Sequence, residues 1–532
     1  MGAAAAAGAP GAAAAADAAA AALWARLLAA HAAAGPLNVT LPEPRTQARD
    51  WVRDGARLPK RAVASAAAHL AAFRRAAPPY PGEPAFAGRG VVILAGGLTY
   101  MVPAWVNVAM LRRAGCGLPV ELWFPPAEAP TEAMEAALAA LGATARVLPA
   151  SAGAAGAVGG GARRSATAAA EPAHEPPRPR SSPPPPPPPP GAAAGPDNLA
   201  PFTMKVAALL LSRFREVIFL DSDNVALSDP SPLLDADAYL DAGAVLWPDY
   251  WQSTAAPDLA AIVGLPRSSL PPGSHESGQM AVDKARAWDG LLIAAYMNLE
   301  HALYYELLTG FMGKGDKESF AVGLAAAALP FAVAPTPVGS VGRAVTRCVL
   351  GQRVCWEAFG GNTMLQAGLD GAPMFLHANL PPKWTLELAA DPAARARRWA
   401  VVQPGGGDFA ALLARAGLPD VEAEVHDALV ALRCAPFLPD YAAVLASESR
   451  MGAAATLPLG VPAGQLAAAN PGMNFRSPYR WGLAGTYTEW AYVGAWDRVA
   501  HAAQRGAGVV AAGRWVGRVA AWATGRSFFA PF

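Results

Sequence analysis

Residues 216 to 224 read Glu-Val-Ile-Phe-Leu-Asp-Ser-Asp-Asn, an unbroken apolar run that stops at two aspartates. Side chains of a strand alternate between faces, so a run apolar at every position must be covered on both sides. That excludes a sheet with one wet face and points to an interior strand of an α/β layer structure. The flanking chain keeps the same rhythm. Val91 to Leu94 is an apolar run closed by Gly96-Gly97, followed by a helical stretch through Val108 and Leu111. A second strand is expected at Val120 to Phe124, a helix at Thr131 to Leu141, and a third strand at Ala145 to Leu148. A helix from Met204 to Arg213 leads into the run that ends in aspartates. Further strands are expected at Ala244 to Trp247, Gln279 to Asp283 and Met374 to Leu376, with a long helix through Trp288, Leu292, Tyr296 and Leu303. Strand alternating with helix predicts a doubly wound, Rossmann-like sheet.

Composition marks where this rhythm starts, breaks and ends. Residues 1–86 are alanine-rich, helical or of low complexity, and close on Ala77-Pro78-Pro79-Tyr80-Pro81. A core is expected over 87–384, interrupted at 151–199 by a Pro/Gly/Ala-rich insertion that holds eight consecutive prolines, Pro183 to Pro190. Such a stretch cannot bury a core and is expected to be disordered, with polyproline II character. Residues 385–532 read as a helical extension without a chemical motif. Over the 532 residues, 42 basic side chains nearly cancel 41 acidic ones, so charge gives no reason to expect nucleic acid as a partner. The uncharged stretches Val91–Leu111 and Ser319–Val341 are long enough for membrane spans. Gly96-Gly97 and Pro103 break the first, and Pro330, Pro335 and Pro337 the second, so both read as buried strand, turn and helix. The alanine-rich N-terminus lacks a basic leading segment and reads poorly as a secretory signal. Four cysteines exclude a small disulfide scaffold. Cys348 and Cys355, read as neighbours in a loop, are open to either a disulfide or two thiols.

Open α/β sheets bind ligands at the carboxyl ends of their strands, which is where Asp221 and Asp223 fall. Two carboxylates flanking one residue can converge on a divalent cation such as magnesium or manganese, which can bridge a diphosphate. His275-Glu276-Ser277-Gly278-Gln279 is expected to precede a strand. Gly315-Asp316-Lys317-Glu318 is expected to open a helix with an exposed acid at its N-terminus. His377 ends the last strand with Lys383 six residues on, an imidazole to complete the metal site and a cation for a departing diphosphate. Two other readings compete. Asp221-Ser222-Asp223-Asn224-Val225 also fits phosphatases of the haloacid dehalogenase type, with Asp221 as nucleophile. A non-catalytic glycan-binding or scaffold protein is the other, with the proline tract as its handle.

The segments LLLSRFREVIFLDSDNVALSDP, AVLWPDYW, HESGQMAVDK, GDKESF and FLHANLPPK, in this order between about residues 88 and 384, resemble the fungal-type α-mannosyltransferases of glycosyltransferase family 71. The resemblance implies a GT-A nucleotide-sugar fold, a manganese-dependent (or magnesium-dependent) retaining transfer and GDP-mannose as donor. It further implies a glycan or glycoprotein acceptor and work in the Golgi lumen or at its membrane. Carried over, Asp221, Asp223 and His377 hold the metal, and Lys383 meets the diphosphate. Glu276, Gln279 and Asp316 line the sugar pocket, with Asp316 or Glu276 as nucleophile unless attack comes from the leaving-group face.

Overall fold

The computed structural model describes residues 10–39, 57–83, 85–149, 203–253, 255–308, 315–349, 354–378, 384–386, 399–403 and 407–442. The expected insertion, Lys383 and most of 385–532 lie outside the described residues.

Among the described residues the strands are β1 (Arg89–Leu94), β2 (Val120–Phe124), β3 (Ala143–Val147), β4 (Glu216–Leu220), β5 (Asn224–Ala226), β6 (Ala244–Gln252), β7 (Gly273–Asp283), β8 (Ala332–Val333), β9 (Gly339–Val349), β10 (Val354–Ala367), β11 (Pro373–His377), β12 (Val401–Gln403) and β13 (Gly407–Asp408). The helices used below are α1 (Pro10–Ala33), α2 (Lys60–Ala76), α3 (Gly97–Arg113), α4 (Glu132–Ala140), α5 (Thr203–Leu211), α6 (Asp237–Ala242), α7 (Leu259–Val263), α8 (Lys284–Leu299), α9 (His301–Leu308), α10 (Lys317–Ala326), α11 (Phe409–Arg415) and α12 (Val421–Arg433).

The main sheet has the order β3-β2-β1-β4-β7-β6-β8. β1 to β4 run parallel, and β7 joins β4 antiparallel. The expected doubly wound mixed α/β sheet is thus present. Both faces are covered, as the apolar runs require. Along β4, Val217 and Phe219 enter one core with Val92, Met280, α5 and α8. Ile218 and Leu220 enter the other with Val91, Ile93 and α3.

A second sheet, β13-β12-β9-β10-β11-β5, packs on that other face and is antiparallel throughout. The sequence did not announce it. β9 and β10 pair along their length, and Cys348 and Cys355 are directly opposed across them instead of sharing a loop. Neighbouring local signals are clear: Thr131 caps α4 through its hydroxyl, and Asp283 caps α8 through its carboxylate. Both uncharged stretches resolve into strand and helix segments, and among the described residues no helix is long and apolar enough to cross a membrane.

Two ends of the chain add to the same cores. Trp24 and Leu27 of α1 and Leu70 and Phe73 of α2 are buried with α5 and α8. β12 extends the second sheet beside β9, and Val425 and Leu429 of α12 pack in the core that holds α3.

Candidate active site

The chain leaves the main sheet at Leu220 and enters the second sheet at Asn224, and the two aspartates occupy the passage between. Asn224 donates its backbone N–H to Asp221 O at 3.0 Å, closing a tight turn. β7 runs past the end of β4, so Asp221 donates its backbone N–H to Gly278 O at 2.8 Å. β11 pairs with β5 and sets His377 opposite Asn224. Three segments distant in sequence therefore meet at one sheet edge.

His377 is the centre of the cluster. Its Nδ1 lies 2.6 Å from Glu276 Oε2, and its Nε2 lies 3.3 Å from Asp223 Oδ1 and 3.8 Å from Asp221 Oδ2. The imidazole has room because residue 278 is glycine. A β-carbon there would stand 2.3 Å from His377 Cε1. Ligand atoms of Asp221, Asp223 and His377 all fall within 4.8 Å of one another. Two carboxylate oxygens and one imidazole nitrogen suit manganese or magnesium. Glu276 on the far ring nitrogen orients the ring, as carboxylates behind metal-bound histidines do. The residues present fit a divalent cation.

Electrostatics agree with this. Four carboxylates, Asp221, Asp223, Glu276 and Asp316, face Lys205 and one imidazole. Burial alone would lower His377, but Glu276 and Asp223 outweigh it and push the imidazole up to about 10. Burial raises Glu276 while His377 pulls it below its ordinary value, and the histidine wins.

Lys205, read only as part of a plain helix, is the residue that sequence reasoning missed. It lies on α5, buried, and its Nζ donates to Asp221 Oδ2 at 3.0 Å and to Ser277 Oγ at 2.9 Å. Asp316 Oδ2 is 3.3 Å away. The available signal was a lone charge in the apolar helix TMKVAALLL. Burial would lower this lysine, yet Asp221 and Asp316 hold it above its ordinary value.

Other expected site residues stand elsewhere than foreseen. Asp316 is an acid before α10, but it is buried rather than exposed, because the helix N-terminus is folded in against α5. Burial pushes its carboxyl up to about 6 against the pull of Lys205. His275 to Gln279 lie within β7 rather than before it. Gln279 is fully buried with its amide taken up by protein: Asn224 donates to its carbonyl at 2.5 Å, and its own amide donates to Gln366 Oε1 on β10. That amide ties the two sheets together. Lys383 is outside the described residues.

Likeness to a known family covers Asp221, Asp223, Glu276 and Asp316 of this site and stops short of His377. A family described as "Mannosyltransferase putative" matches residues 88–274 and 265–355. Alpha-1,2-mannosyltransferase MNN22 of Candida albicans is 34% identical over 156 residues, 23% of this chain and 26% of that one. Alpha-1,2-mannosyltransferase MNN5 of Saccharomyces cerevisiae is 27% identical over 183 residues, 25% of this chain and 31% of that one. The chain thus spans less than a third of the length of these two relatives. Among solved structures, galactosyltransferase LgtC shows a slight likeness at 12% identity and a TM-score of 0.26, over 46% of this chain and 73% of that one. Mouse xyloside xylosyltransferase 1 shows 11% identity and a TM-score of 0.24, over 45% and 81%. The two family segments overlap and together run from residue 88 to 355, half the chain and every strand that builds the Asp221–Asp223 turn, so this chain belongs to that mannosyltransferase family.

Proposed function

We propose that the chain is a metal-dependent retaining glycosyltransferase that moves mannose from GDP-mannose to a hydroxyl of a glycan or glycoprotein, as in glycosyltransferase family 71. What carries this reading is the Asp221–Asp223–His377 cluster, backed by Glu276, in a chain of a mannosyltransferase family. Asp221, Asp223 and His377 would hold manganese or magnesium. When bound, that ion supplies charge neutralisation for the departing diphosphate.

The chain's own residues do the rest. Glu276 fixes the imidazole and is committed to it, which leaves Asp316 as the carboxylate for the sugar side. Lys205 ties Asp316 to Asp221 and fixes the spacing between the metal side and the sugar side. Lys383 is assigned to the outer phosphate oxygens by its spacing from His377 and by the family resemblance. The place of work on this reading is the Golgi lumen.

The test incubates the full chain with GDP-mannose, manganese and methyl α-mannoside. GDP and an α-linked disaccharide are the expected products. Asp223→Asn should abolish turnover, and Glu276→Gln should weaken metal binding or activity about ten- to a hundredfold, as loss of an outer partner of a metal-bound histidine does. Release of phosphate from p-nitrophenyl phosphate, with GDP-mannose untouched, would transfer the site to the phosphatase reading.

A further inference from the structure

Two lysines stand near the metal cluster, and their surroundings differ. Lys205 is buried, and Asp221 Oδ2, Ser277 O and Ser277 Oγ take up its three N–H groups with Asp316 as an ion-pair neighbour, leaving it none for a ligand. Lys317, in the first turn of α10, keeps 22% of its side chain exposed. Its Nζ donates to Asp249 Oδ2 and, at 3.0 Å, to Ser274 Oγ. Asp249 has only 7% of its side chain exposed and is itself fixed, because its other oxygen accepts the Tyr250 backbone N–H at 2.6 Å. Ser274 lies on β7 two positions from Glu276, and Lys317 follows Asp316 directly. Lys317 acts electrostatically on Glu276, the carboxylate that holds His377.

We propose that Lys317, held by Asp249 and Ser274, is a hexose-binding subsite in which the ammonium donates to a sugar hydroxyl of the substrate. The proposal rests on the mannosyltransferase reading above. Charge favours a sugar over a phosphate here. Asp249 already neutralises the ammonium, and Glu318 and Glu276 stand near it, so an anionic group would meet more carboxylate than cation. A neutral hydroxyl accepts from the ammonium and can return its own proton to a carboxylate oxygen. A donor held by buried partners loses little freedom on binding. The hydroxyl can belong to the donor's hexosyl group or to the acceptor's, and the experiment separates the two.

Lys317→Met, Lys317→Arg and the pair Lys317→Met/Asp249→Leu are compared with the wild type, the pair because it leaves no buried carboxylate unpartnered. Melting temperature and GDP affinity with manganese are measured for each. KM is measured for GDP-mannose in the absence of acceptor, where water accepts the mannosyl group, and for methyl α-mannoside in transfer. Loss of one charged hydrogen bond should raise one of these KM values about ten- to a hundredfold, with GDP affinity unchanged and partial recovery in Lys317→Arg. A rise for GDP-mannose assigns the donor hexose, and a rise for methyl α-mannoside the acceptor. Folded variants with both KM values within about twofold of wild type overturn the proposal and leave a structural ion pair. An equal loss of GDP affinity overturns it in favour of a phosphate contact. A wild type that binds GDP but never turns over GDP-mannose strikes the mannosyltransferase reading instead, and the subsite falls with it.

Discussion

A methyl group added at residue 278 would collide with an imidazole that Glu276 already fixes from the other side. Gly278→Ala should therefore cost about 1–3 kcal/mol by overpacking and weaken manganese binding more than about tenfold, as a displaced metal ligand does. Calorimetric manganese titration beside a melting curve checks both. Glu318 offers a second residue-scale prediction. Burial pushes its carboxyl up to about 7, with Ser274 Oγ donating to it. A carboxyl raised on folding adds stability that is complete below its ordinary value of 4.5 and is lost as pH rises through about 7. Glu318→Gln removes that loss, so the variant should gain on the wild type between pH 4.5 and 7, by at most about 3 kcal/mol. His275 works in the opposite direction. Burial lowers it to about 4, so its contribution is present above 6.5 and fades as pH falls toward 4. A variant-minus-wild-type melting difference that does not change with pH would contradict the assignment to Glu318.

Position of the helix that carries Lys317 depends on a glycine pair. A β-carbon at Gly323 of α10 would lie 2.5 Å from Gly290 O of α8, and one at Gly290 would lie 2.9 Å from Leu324 Cα. Backbone meets backbone here, and no side-chain rotation can relieve an added methyl. Gly323→Ala should destabilise by about 1–3 kcal/mol and push the N-terminus of α10 outward. Since that end holds Asp316 and Lys317, turnover should fall more than the melting temperature alone explains. Steady-state kinetics well below the transition temperature test this. Legibility also varies by element. β1, β2 and β4 announce themselves because apolar side chains fall on both of their faces, Glu121 of β2 being the one buried charge among them. β9 and β10 do not: their sequences, GSVGRAVTRCV and VCWEAFGGNTMLQA, mix charge and glycine into the strand pattern, and pairing with each other makes them strands.

The metal cluster takes Asp221 and Asp223 from the turn that leaves the main sheet and His377 from the second sheet. An ion bound there joins both sheets, so its binding energy adds to the stability of the whole fold. Manganese at a hundred times its dissociation constant should raise unfolding free energy by about 2.7 kcal/mol. Asp223→Asn should abolish most of that increase, read as the manganese-induced shift alone, because loss of the carboxylate that faces His377 also lowers the metal-free melting temperature. Differential scanning calorimetry with and without manganese measures it. An unchanged shift in Asp223→Asn would mean that manganese stabilises the protein from another site.

Local sequence determined the buried strands, the helices between them, and the carboxylates at a strand's end, because apolar periodicity and strand length are properties of a few consecutive residues. It also placed His377 at a strand terminus. Tertiary structure alone decided which groups meet. Lys205 reaches Asp221 and Asp316 from positions 16 and 111 residues away, and Glu276 reaches His377 across 101. Burial of Asp316, the role of Gln279 between sheets, and the Lys317–Asp249 pair follow from which faces pack together. No local pattern encodes such contacts. A side chain's charge state and valence are set by the surfaces closed around it, and those surfaces come from distant parts of the chain.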